Sequence, residues 1–379
     1  MSKFFKILFL NLLFLISFLE IASFIFLKLG LFTHPSEPTY GNTSSFVDTD
    51  WRNEKNLWGA WHIKNFNSSS KKSCFNVKYE SNNIGARDNK NYFKNKGDTI
   101  LLGDSFIEGI GVNLEKTFAG LLSTTGRSVL NFASAGDFGP LQQYLIYKNF
   151  ASDFNHNEIV IFFLPANDFT DNSSKYQESL FGDRYRPYFR KNESEIFEIY
   201  YPDNSKPSEK FPSTERKNSF LFKSFLVDYF YSANLLRQFR LIILSSHTDI
   251  QDIFNEKFGY NFIDDYSIEG VLYYYEELFK LIGPRVSKTF IVIPTDRDLR
   301  EIQSNNWAYL KSDWYEEITK LTKEYDIKFI DLALDSDMNS KELLIKGQDS
   351  WYHKCDGHWN QAGHKYAFDR FFNGIETNK

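Results

Sequence analysis

The sequence predicts an α/β fold in which short buried strands alternate with helices. Residues 158–164 read EIVIFFL, and a run that is apolar on both faces is typical of a strand inside a parallel sheet. Residues 140–150 begin with Pro140, and proline is favoured in the first turn of a helix. Because such segments follow one another along the chain, the sequence favours right-handed crossovers and a mostly parallel sheet covered on both sides.

Five strands and five helices are predicted in this alternating order. The predicted strands cover 99–102, 128–132, 158–164, 289–293 and 327–330, and the predicted helices cover 116–123, 140–150, 268–282, 307–324 and 361–372. The alternation stops between about 170 and 265, where a polar stretch precedes an apolar helical one. We interpret this part as an insertion beside the sheet. A chain of 379 residues is long enough for one large domain with such an appendage.

The N-terminal segment is long and apolar enough to cross a membrane. Residues 7–27 read ILFLNLLFLISFLEIASFIFL, and a helix of this length covers roughly 30 Å, the thickness of a hydrocarbon core. Glu20 costs about 2.5 to 3.5 kcal/mol near the centre of such a helix, whereas each Leu, Ile or Phe returns about 0.3 to 0.6 kcal/mol, so insertion is favoured. The run exceeds the ~7 to 15 apolar residues of a cleavable signal, and no A-x-A site follows it. A signal-anchor helix within residues 1–30 is therefore expected, with a cleaved signal peptide as the alternative.

The charges that flank this segment predict its orientation. Lys3, Lys6 and the amino terminus outnumber Lys28 on the other side, so the positive-inside rule places the N-terminus in the cytoplasm. The expected protein is single-pass, with its main domain periplasmic or on the cell surface. Residues 31–95 are rich in Ser, Asn, Gly and Pro and are interpreted as a stalk and lead-in, followed by the main domain over 96–379.

Charge and cysteine content limit the partners and the compartment. The formal net charge is -5 and no basic stripe is present, which argues against a nucleic-acid partner because phosphate binding needs clustered Lys and Arg. The chain has two cysteines, Cys74 and Cys355. In an oxidising compartment they are candidates for a disulfide, with two unpaired buried thiols as the alternative. The loop that such a bridge closes is long enough for a chain-entropy stabilisation of about 5 kcal/mol.

Small polar residues follow the predicted strands. In an open parallel sheet, ligands bind outside the carboxyl ends of the strands. The first strand runs into GDS, which contains Ser105; the second runs into NFASAG, which contains Gly136; and the third runs into PAND, which contains Asn167. The segment before the last helix includes DGHWN, with Asp356 and His358. These loops are expected to face one crevice.

The residue types at these positions are those that acyl transfer needs. The reaction requires a nucleophilic hydroxyl, a base within hydrogen-bond reach, a group that orients the base, and donors for the oxyanion. Ser105 offers the hydroxyl, His358 the base and Asp356 the orienting carboxylate. The backbone N–H groups of Ser105 and Gly136, with the side-chain amide of Asn167, are the candidate oxyanion donors. No cofactor is expected.

The four blocks resemble the SGNH, or GDSL, hydrolase family, which is named for Ser, Gly, Asn and His residues in separate blocks. The resemblance covers most of residues 97–375, with an interruption in the middle. It implies a three-layer α/β/α, flavodoxin-like fold. It also implies that Ser105 is the nucleophile, that Asp356 and His358 complete the triad, and that Gly136 and Asn167 belong to the oxyanion hole.

Two positions depart from the family pattern. Pro165 stands where the third block usually has glycine, and Gly357 alone separates Asp356 from His358, where the family more often has two residues. The D-x-H-x-N-x-x-G form of residues 356–363 resembles the branch of envelope-bound proteins that modify or deacylate extracellular polysaccharides. The lead-in NNIGARD, residues 82–88, is similar to a segment in some of those proteins.

These features predict a serine esterase that removes ester-linked acyl groups from an acylated small molecule or glycan. One alternative is an O-acyltransferase that acts on envelope polysaccharide, and another is a catalytically inactive carbohydrate-binding module of the same fold. Trp351 and Trp359 flank the histidine block, where they are candidates either for stacking on a sugar or for packing.

The same segment also contains residue types that bind metals. His353, Cys355, His358 and His364 lie close together, and zinc accepts imidazole and thiolate ligands. Their spacing fits no common zinc motif, so we expect no metal. His364 is expected to be a surface or packing residue.

Overall fold

A computed structural model of the protein describes residues 3–28, 47–48, 57–59, 61–72, 74–136, 138–172, 186–201, 230–233, 235–236, 263–296, 298–299, 312–334, 351–353 and 357–376. The strands are β1 (Val47–Asp48), β2 (Trp61–His62), β3 (Asn67–Lys72), β4 (Phe75–Glu80), β5 (Thr99–Leu102), β6 (Val129–Asn131), β7 (Glu158–Phe163), β8 (Tyr188–Lys191), β9 (Phe197–Tyr200), β10 (Ser287–Val292) and β11 (Lys328–Asp331). The helices are α1 (Lys3–Lys28), α2 (Ser105–Glu108), α3 (Phe118–Ser123), α4 (Pro140–Asn149), α5 (Pro165–Asp171), α6 (Asp265–Ile282), α7 (Asp313–Glu324) and α8 (Gln361–Glu376).

The centre of the protein is a five-stranded, fully parallel sheet in the order β6-β5-β7-β10-β11. This is the flavodoxin-like order, in which the second strand lies outside the first and the later strands extend the other edge. The predicted α/β class is confirmed. The direction in which successive strands are added to the sheet reverses between β5 and β7, and ligands of such folds bind at this switch point.

Helices cover both faces of the sheet. Phe162 and Phe163 are consecutive in β7, so their side chains point to opposite faces. The ring of Phe162 lies 4.9 Å from that of Phe118 in α3, and the ring of Phe163 lies 5.7 Å from that of Tyr275 in α6. α3 also packs against α8, and α6 packs against α4, α5 and α7. The architecture therefore has three layers.

The predicted strands and helices of the sheet agree with the observed ones to within a few residues. The largest difference is the helix predicted from residue 307, because α7 begins at Asp313 and residues 300–311 lie outside the described part of the chain. The interruption after α5 contains the antiparallel hairpin of β8 and β9. This hairpin packs against α6, where the rings of Phe189 and Tyr266 lie 5.7 Å apart. Residues 173–185 and 202–229 lie outside the described residues, and the predicted domain bounds stay a prediction.

The lead-in packs behind the first strand-to-helix turn. β3 and β4 form an antiparallel hairpin, and the chain then reaches Arg87, which is 1% exposed. Its guanidinium donates hydrogen bonds to the backbone carbonyls of Glu108 at 2.6 Å and Val112 at 2.5 Å, and to that of Gly109. A cation is favourable beside the carbonyls that end a helix. Arg87 thus holds the end of α2 and the loop that follows it.

Helix α1 is apolar over Lys3–Phe26, and among the residues that the structure describes it is the one helix long and apolar enough to cross a membrane. Its large apolar side chains are mostly exposed, with Phe14 at 75%. These features fit a membrane anchor or a signal sequence.

Candidate active site

The Gly-Asp-Ser segment forms the turn between β5 and α2. A Cβ atom on Gly103 would lie 3.0 Å from Ile107 Cγ1 and 3.1 Å from Phe162 Cβ, so this close approach favours glycine. Asp104 caps α2, because its Oδ1 atom accepts a hydrogen bond from the Phe106 N–H at 2.9 Å. Ser105 is then the first residue of the helix, half-buried at the carboxyl end of the sheet. The N–H groups of a first helical turn have no acceptor within the helix.

Ser105 and His358 form a hydrogen-bonded pair. The distance between Ser105 Oγ and His358 Nε2 is 2.8 Å, although the two residues are 253 positions apart in the sequence. A hydroxyl at this distance from an imidazole nitrogen is within reach for proton transfer. Two of the residues predicted to form the site are therefore adjacent in the fold.

The loop before α8 fixes the imidazole. The His353 N–H donates to the His358 carbonyl at 2.8 Å, and the Asn360 N–H donates to the Trp351 carbonyl at 2.7 Å. The imidazole of His358 also lies 5.0 Å from the ring of Phe106, measured between ring centroids. Because Nε2 faces Ser105, Nδ1 lies on the opposite side of the ring. The predicted orienting residue, Asp356, lies outside the described residues, and its role stays a prediction.

Asp104 adds a buried carboxyl group to this neighbourhood. Burial raises the pKa of Asp104 to about 6; the hydrogen bond from the Phe106 N–H, the nearby His358 and the Asn167 side chain each lower it. Asp104 is 2% exposed. Its charge is therefore placed to stabilise a protonated His358 and to interact with Asn167. In the sequence Asp104 is only part of the turn motif, because its close approach to two other blocks depends on tertiary packing.

The two other predicted oxyanion residues follow β6 and β7. Gly136 has φ +96° and is exposed, and among the described residues no heavy atom other than those of its chain neighbours lies within 4 Å of the position that a Cβ atom would take. This positive φ favours glycine. Asn167 lies half-buried in the first turn of α5. Pro165 is the first residue of that helix, a position that suits proline, so the departure from the family's glycine is accommodated. The oxyanion role of both residues stays a prediction.

A buried carboxylate that the sequence motifs did not indicate links the nucleophile helix to the glycine loop. Glu108, fully buried at the end of α2, accepts a hydrogen bond through Oε2 from the backbone N–H of Ala135. The same oxygen lies 3.4 Å from Nε2 of His62. Nδ1 of His62 is 2.9 Å from the carbonyl oxygen of Gly85, to which it donates. The lead-in, α2 and the loop before Gly136 are thus connected through side chains.

Two more carboxyl groups are buried in α5. Asp168 Oδ2 accepts the Leu164 N–H at 2.8 Å. Burial raises the pKa of Asp168 well above its usual range, and the neighbouring Asp104 and Asp171 raise it further. Burial also raises the pKa of Asp171 to about 7, while Arg186 opposes the change. The two residues are three positions apart on a helix, a spacing that places them on one face.

The remaining aromatic and histidine candidates pack in the core. His364 is fully buried, and its Nδ1 atom accepts the Phe118 N–H at 3.1 Å, so it joins α8 to α3. The expectation of a packing residue is met, and the surface alternative is wrong. Burial lowers the pKa of His364 to about 3. Trp351 stacks on Tyr366 with ring centroids 3.7 Å apart, and Trp359 is 1% exposed. Neither indole is therefore available to stack on a sugar.

No group of three His, Cys, Asp or Glu side chains that could hold a metal ion occurs within the described ranges. Cys74 is disulfide-bonded, and the chain's other cysteine, Cys355, lies outside those ranges. The ring of Phe75, next to Cys74, lies 4.9 Å from the imidazole of His353. The start of β4 therefore contacts the loop that carries His358. The pairing of Cys74 with Cys355 stays a prediction.

The fold and this geometry define an α/β protein with a Ser–His pair at the switch point of its sheet. No family model matches the chain, and no curated protein matches it. It is similar to the solved structure of a lipase/acylhydrolase from Enterococcus faecalis, at 12% identity and a TM-score of 0.36, over 74% of this chain and 96% of that one. A GDSL-like lipase from Bacteroides ovatus matches at 10% identity and a TM-score of 0.35, over 77% and 55%. A lipase from a goat rumen metagenome matches at 14% identity and a TM-score of 0.33, over 73% and 97%.

These matches lie below 25% identity and below a TM-score of 0.5, so any function must follow from the residues of this chain.

Proposed function

We propose that this protein is a membrane-anchored serine esterase whose catalytic domain lies outside the cytoplasm. The observation that carries the proposal is the 2.8 Å contact between Ser105 Oγ and His358 Nε2. The contact lies at the carboxyl end of β5, beside β7, where a flavodoxin-like sheet binds its ligands. The substrate class is an acyl ester of a small molecule or a glycan.

The proposed reaction follows from the positions of Ser105 and His358. His358 Nε2 takes the hydroxyl proton as Ser105 Oγ attacks the carbonyl carbon of the ester. The negative charge that develops on the carbonyl oxygen is stabilised by the N–H groups of Ser105 and Gly136 and by the Asn167 amide. The imidazolium returns its proton to the departing alcohol, which leaves an acyl group on Ser105. A water molecule then attacks the acyl carbon while His358 takes one of its protons, and His358 returns that proton to Ser105 Oγ as the bond between Oγ and the acyl carbon breaks and the acid leaves.

Carboxylates stabilise the imidazolium in this scheme. Asp356 orients the ring through Nδ1, as the family resemblance implies. Asp104 contributes a second negative charge close to the imidazole, since His358 lowers the pKa of its carboxyl group. The Asn167 side chain also lowers the pKa of Asp104, so this carboxyl group interacts with both the base and the proposed oxyanion block.

The Ser–His contact favours an esterase over an inactive binding module of the same fold. A module that only binds a glycan has no need for a hydroxyl held on an imidazole, and both tryptophans beside the histidine are buried. An acyltransferase would form the same acyl-enzyme and differ only in its acceptor. We propose water as the acceptor, and the acyltransferase stays the alternative.

Hydrolysis of p-nitrophenyl acetate tests the proposal. We expect turnover by the unmodified protein and none above background for Ser105→Ala. Ser123→Ala is the matched control, because Ser123 lies in α3 and its hydroxyl donates to the Ala119 carbonyl instead of to a histidine. Equal turnover in Ser105→Ala and the unmodified protein would refute the nucleophile.

A further inference from the structure

Helix α1 contains a carboxylate that is bound by a distant part of the chain. Glu20 accepts hydrogen bonds from the backbone N–H of Tyr231 at 2.9 Å and from that of Ser232 at 3.2 Å. Its Oε1 atom also accepts a hydrogen bond from the hydroxyl of Ser232. Residues 231–233 are helical, and the first N–H groups of a helical turn are free to bind an anion. Glu20 therefore accepts the hydrogen bonds of the N–H groups at the start of this turn.

Apolar contacts accompany the polar ones. The rings of Phe24 and Tyr231 meet edge to face with their centroids 5.3 Å apart. Ser23 is 2% exposed, whereas most side chains of α1 are exposed. One face of α1 is thus covered near Glu20 by residues from the predicted insertion, while its other apolar side chains remain uncovered.

The position of Glu20 along α1 sets the depth of this contact. Glu20 lies six residues before Phe26, the last residue of the apolar stretch Lys3–Phe26. At a rise of about 1.5 Å per residue, the contact lies about 9 Å inside the end of that stretch. If α1 spans a membrane, Tyr231 and Ser232 must enter the same leaflet to reach Glu20. A carboxylate at this depth is costly unless it is hydrogen-bonded.

We propose that Tyr231, Ser232 and Leu236 insert into the extracytoplasmic leaflet of a phospholipid bilayer, where Glu20 fastens Tyr231 and Ser232 to α1. The exposure of Leu236 agrees with a lipid partner, because this apolar side chain follows the contact and is 69% exposed. This inference rests on the proposed anchoring by α1 but not on the esterase reaction.

The consequence is a second membrane attachment. A single helix followed by a stalk would leave the catalytic domain free to move away from the bilayer. The Glu20 contact instead ties the insertion, and with it the sheet domain, to the membrane surface. Acyl esters presented close to that surface would then be the accessible substrates.

Fluorescence quenching in nanodiscs tests the insertion. The full-length protein is placed in phosphatidylethanolamine and phosphatidylglycerol bilayers that contain lipids with a nitroxide on the acyl chain. A fluorophore is attached to Leu236→Cys, to Phe9→Cys as the membrane reference, and to Lys320→Cys as the aqueous reference. Phe9 is 55% exposed in α1, and the side chain of Lys320 is 73% exposed in α7. The same labelling reaction on the unmodified protein gives the background.

We expect quenching at positions 9 and 236 and none at position 320. Quenching at 9 with none at 236 would overturn the insertion and leave the anchor intact, whereas no quenching at 9 would overturn the anchor and the insertion together.

In Glu20→Leu, quenching at 236 should fall to the level at 320. Glu20→Gln, whose amide oxygen still accepts hydrogen bonds, should keep it. Unchanged quenching at 236 in Glu20→Leu would contradict the role of Glu20. Turnover of p-nitrophenyl acetate should be the same in all variants, which separates this test from that of the active site.

Discussion

Glu108 accepts a hydrogen bond from the backbone N–H of Ala135, the residue that precedes Gly136. Glu108 ends the short helix that Ser105 begins, so one carboxylate connects the nucleophile helix to the proposed oxyanion loop. His62 lies on the other side of the carboxylate, with its Nε2 atom 3.4 Å from Oε2. The position of the Gly136 amide relative to Ser105 therefore depends on a group that does not contact the substrate.

Glu108→Ala is expected to lower kcat for p-nitrophenyl acetate about ten- to hundredfold, because the loop before Gly136 loses its attachment to α2. KM should change much less, since the loss falls on the transition state. Glu108→Gln should recover most of the rate, because its amide oxygen can accept the Ala135 N–H. Steady-state kinetics gives kcat and KM for both variants, once each shows the native circular dichroism spectrum. A folded Glu108→Ala variant with the unmodified kcat would remove Glu108 from the positioning of the site.

Asn167→Ala is expected to slow ester hydrolysis about a hundredfold, or about 3 kcal/mol, because it deletes one oxyanion donor. Asn149→Ala provides a matched control, since that amide donates to the Leu145 carbonyl within α4. The measurement is kcat/KM for both variants on the same ester. Equal losses in the two variants would mean that Asn167 acts through the stability of the fold.

The buried carboxyl groups predict a dependence of stability on pH. The pKa of Asp171 is raised by burial to about 7 and that of Asp104 to about 6, so the folded protein holds these protons more tightly than the unfolded chain does. Their contribution to the free energy of unfolding is therefore present below about pH 4 and is lost as the pH rises toward 7. His364 acts in the opposite sense, because burial lowers its pKa to about 3.

Asp171→Asn isolates one of these groups. From pH 5 to pH 8, the unmodified protein should lose on the order of 1 to 4 kcal/mol of unfolding free energy that the variant does not lose. Urea denaturation at both pH values measures the difference. If the two proteins respond to pH in parallel, folding does not raise the pKa of Asp171 into this range.

Reduction of the disulfide should destabilise the protein and disturb the site. Cys74 is disulfide-bonded, and its neighbour Phe75 contacts His353 in the loop that carries His358. Loss of a native disulfide typically costs about 2 to 5 kcal/mol. We expect a lower Tm and lower esterase activity after reduction, and a Cys74–Cys355 peptide in a non-reducing digest. Identical Tm and activity before and after reductant would argue against a bracing role.

The sequence predicted the sheet well because its strands are apolar on both faces and are separated by helices with clear starts. β7, read from EIVIFFL, and α4, which begins at Pro140, show this most directly. Ser105 and His358 could be proposed together only because separate short blocks follow the strands in a fixed order. The distance between them depends on the packing of α8 beside α3, which no local pattern reports.

The parts that sequence reasoning missed are contacts over long separations by residues with ordinary roles. Glu108 belongs to no motif in the sequence, yet it is fully buried and accepts a hydrogen bond from Ala135, 27 positions away. For His364 the sequence left a surface and a packing role open, and its partner, the Phe118 N–H, is seen only in the structure. Burial of such groups depends on which elements pack on them, and periodicity alone does not indicate it.

The central claim is that His358 activates Ser105, and covalent labelling with a fluorophosphonate probe tests it most directly. Peptide mapping by mass spectrometry should find the probe on Ser105 in the unmodified protein and in the control His156→Ala, whose histidine bonds Tyr147 instead. Labelling should be lost in Ser105→Ala and fall to background in His358→Ala. Labelling of Ser105 at the same rate in His358→Ala, or labelling of a different serine, would contradict the claim.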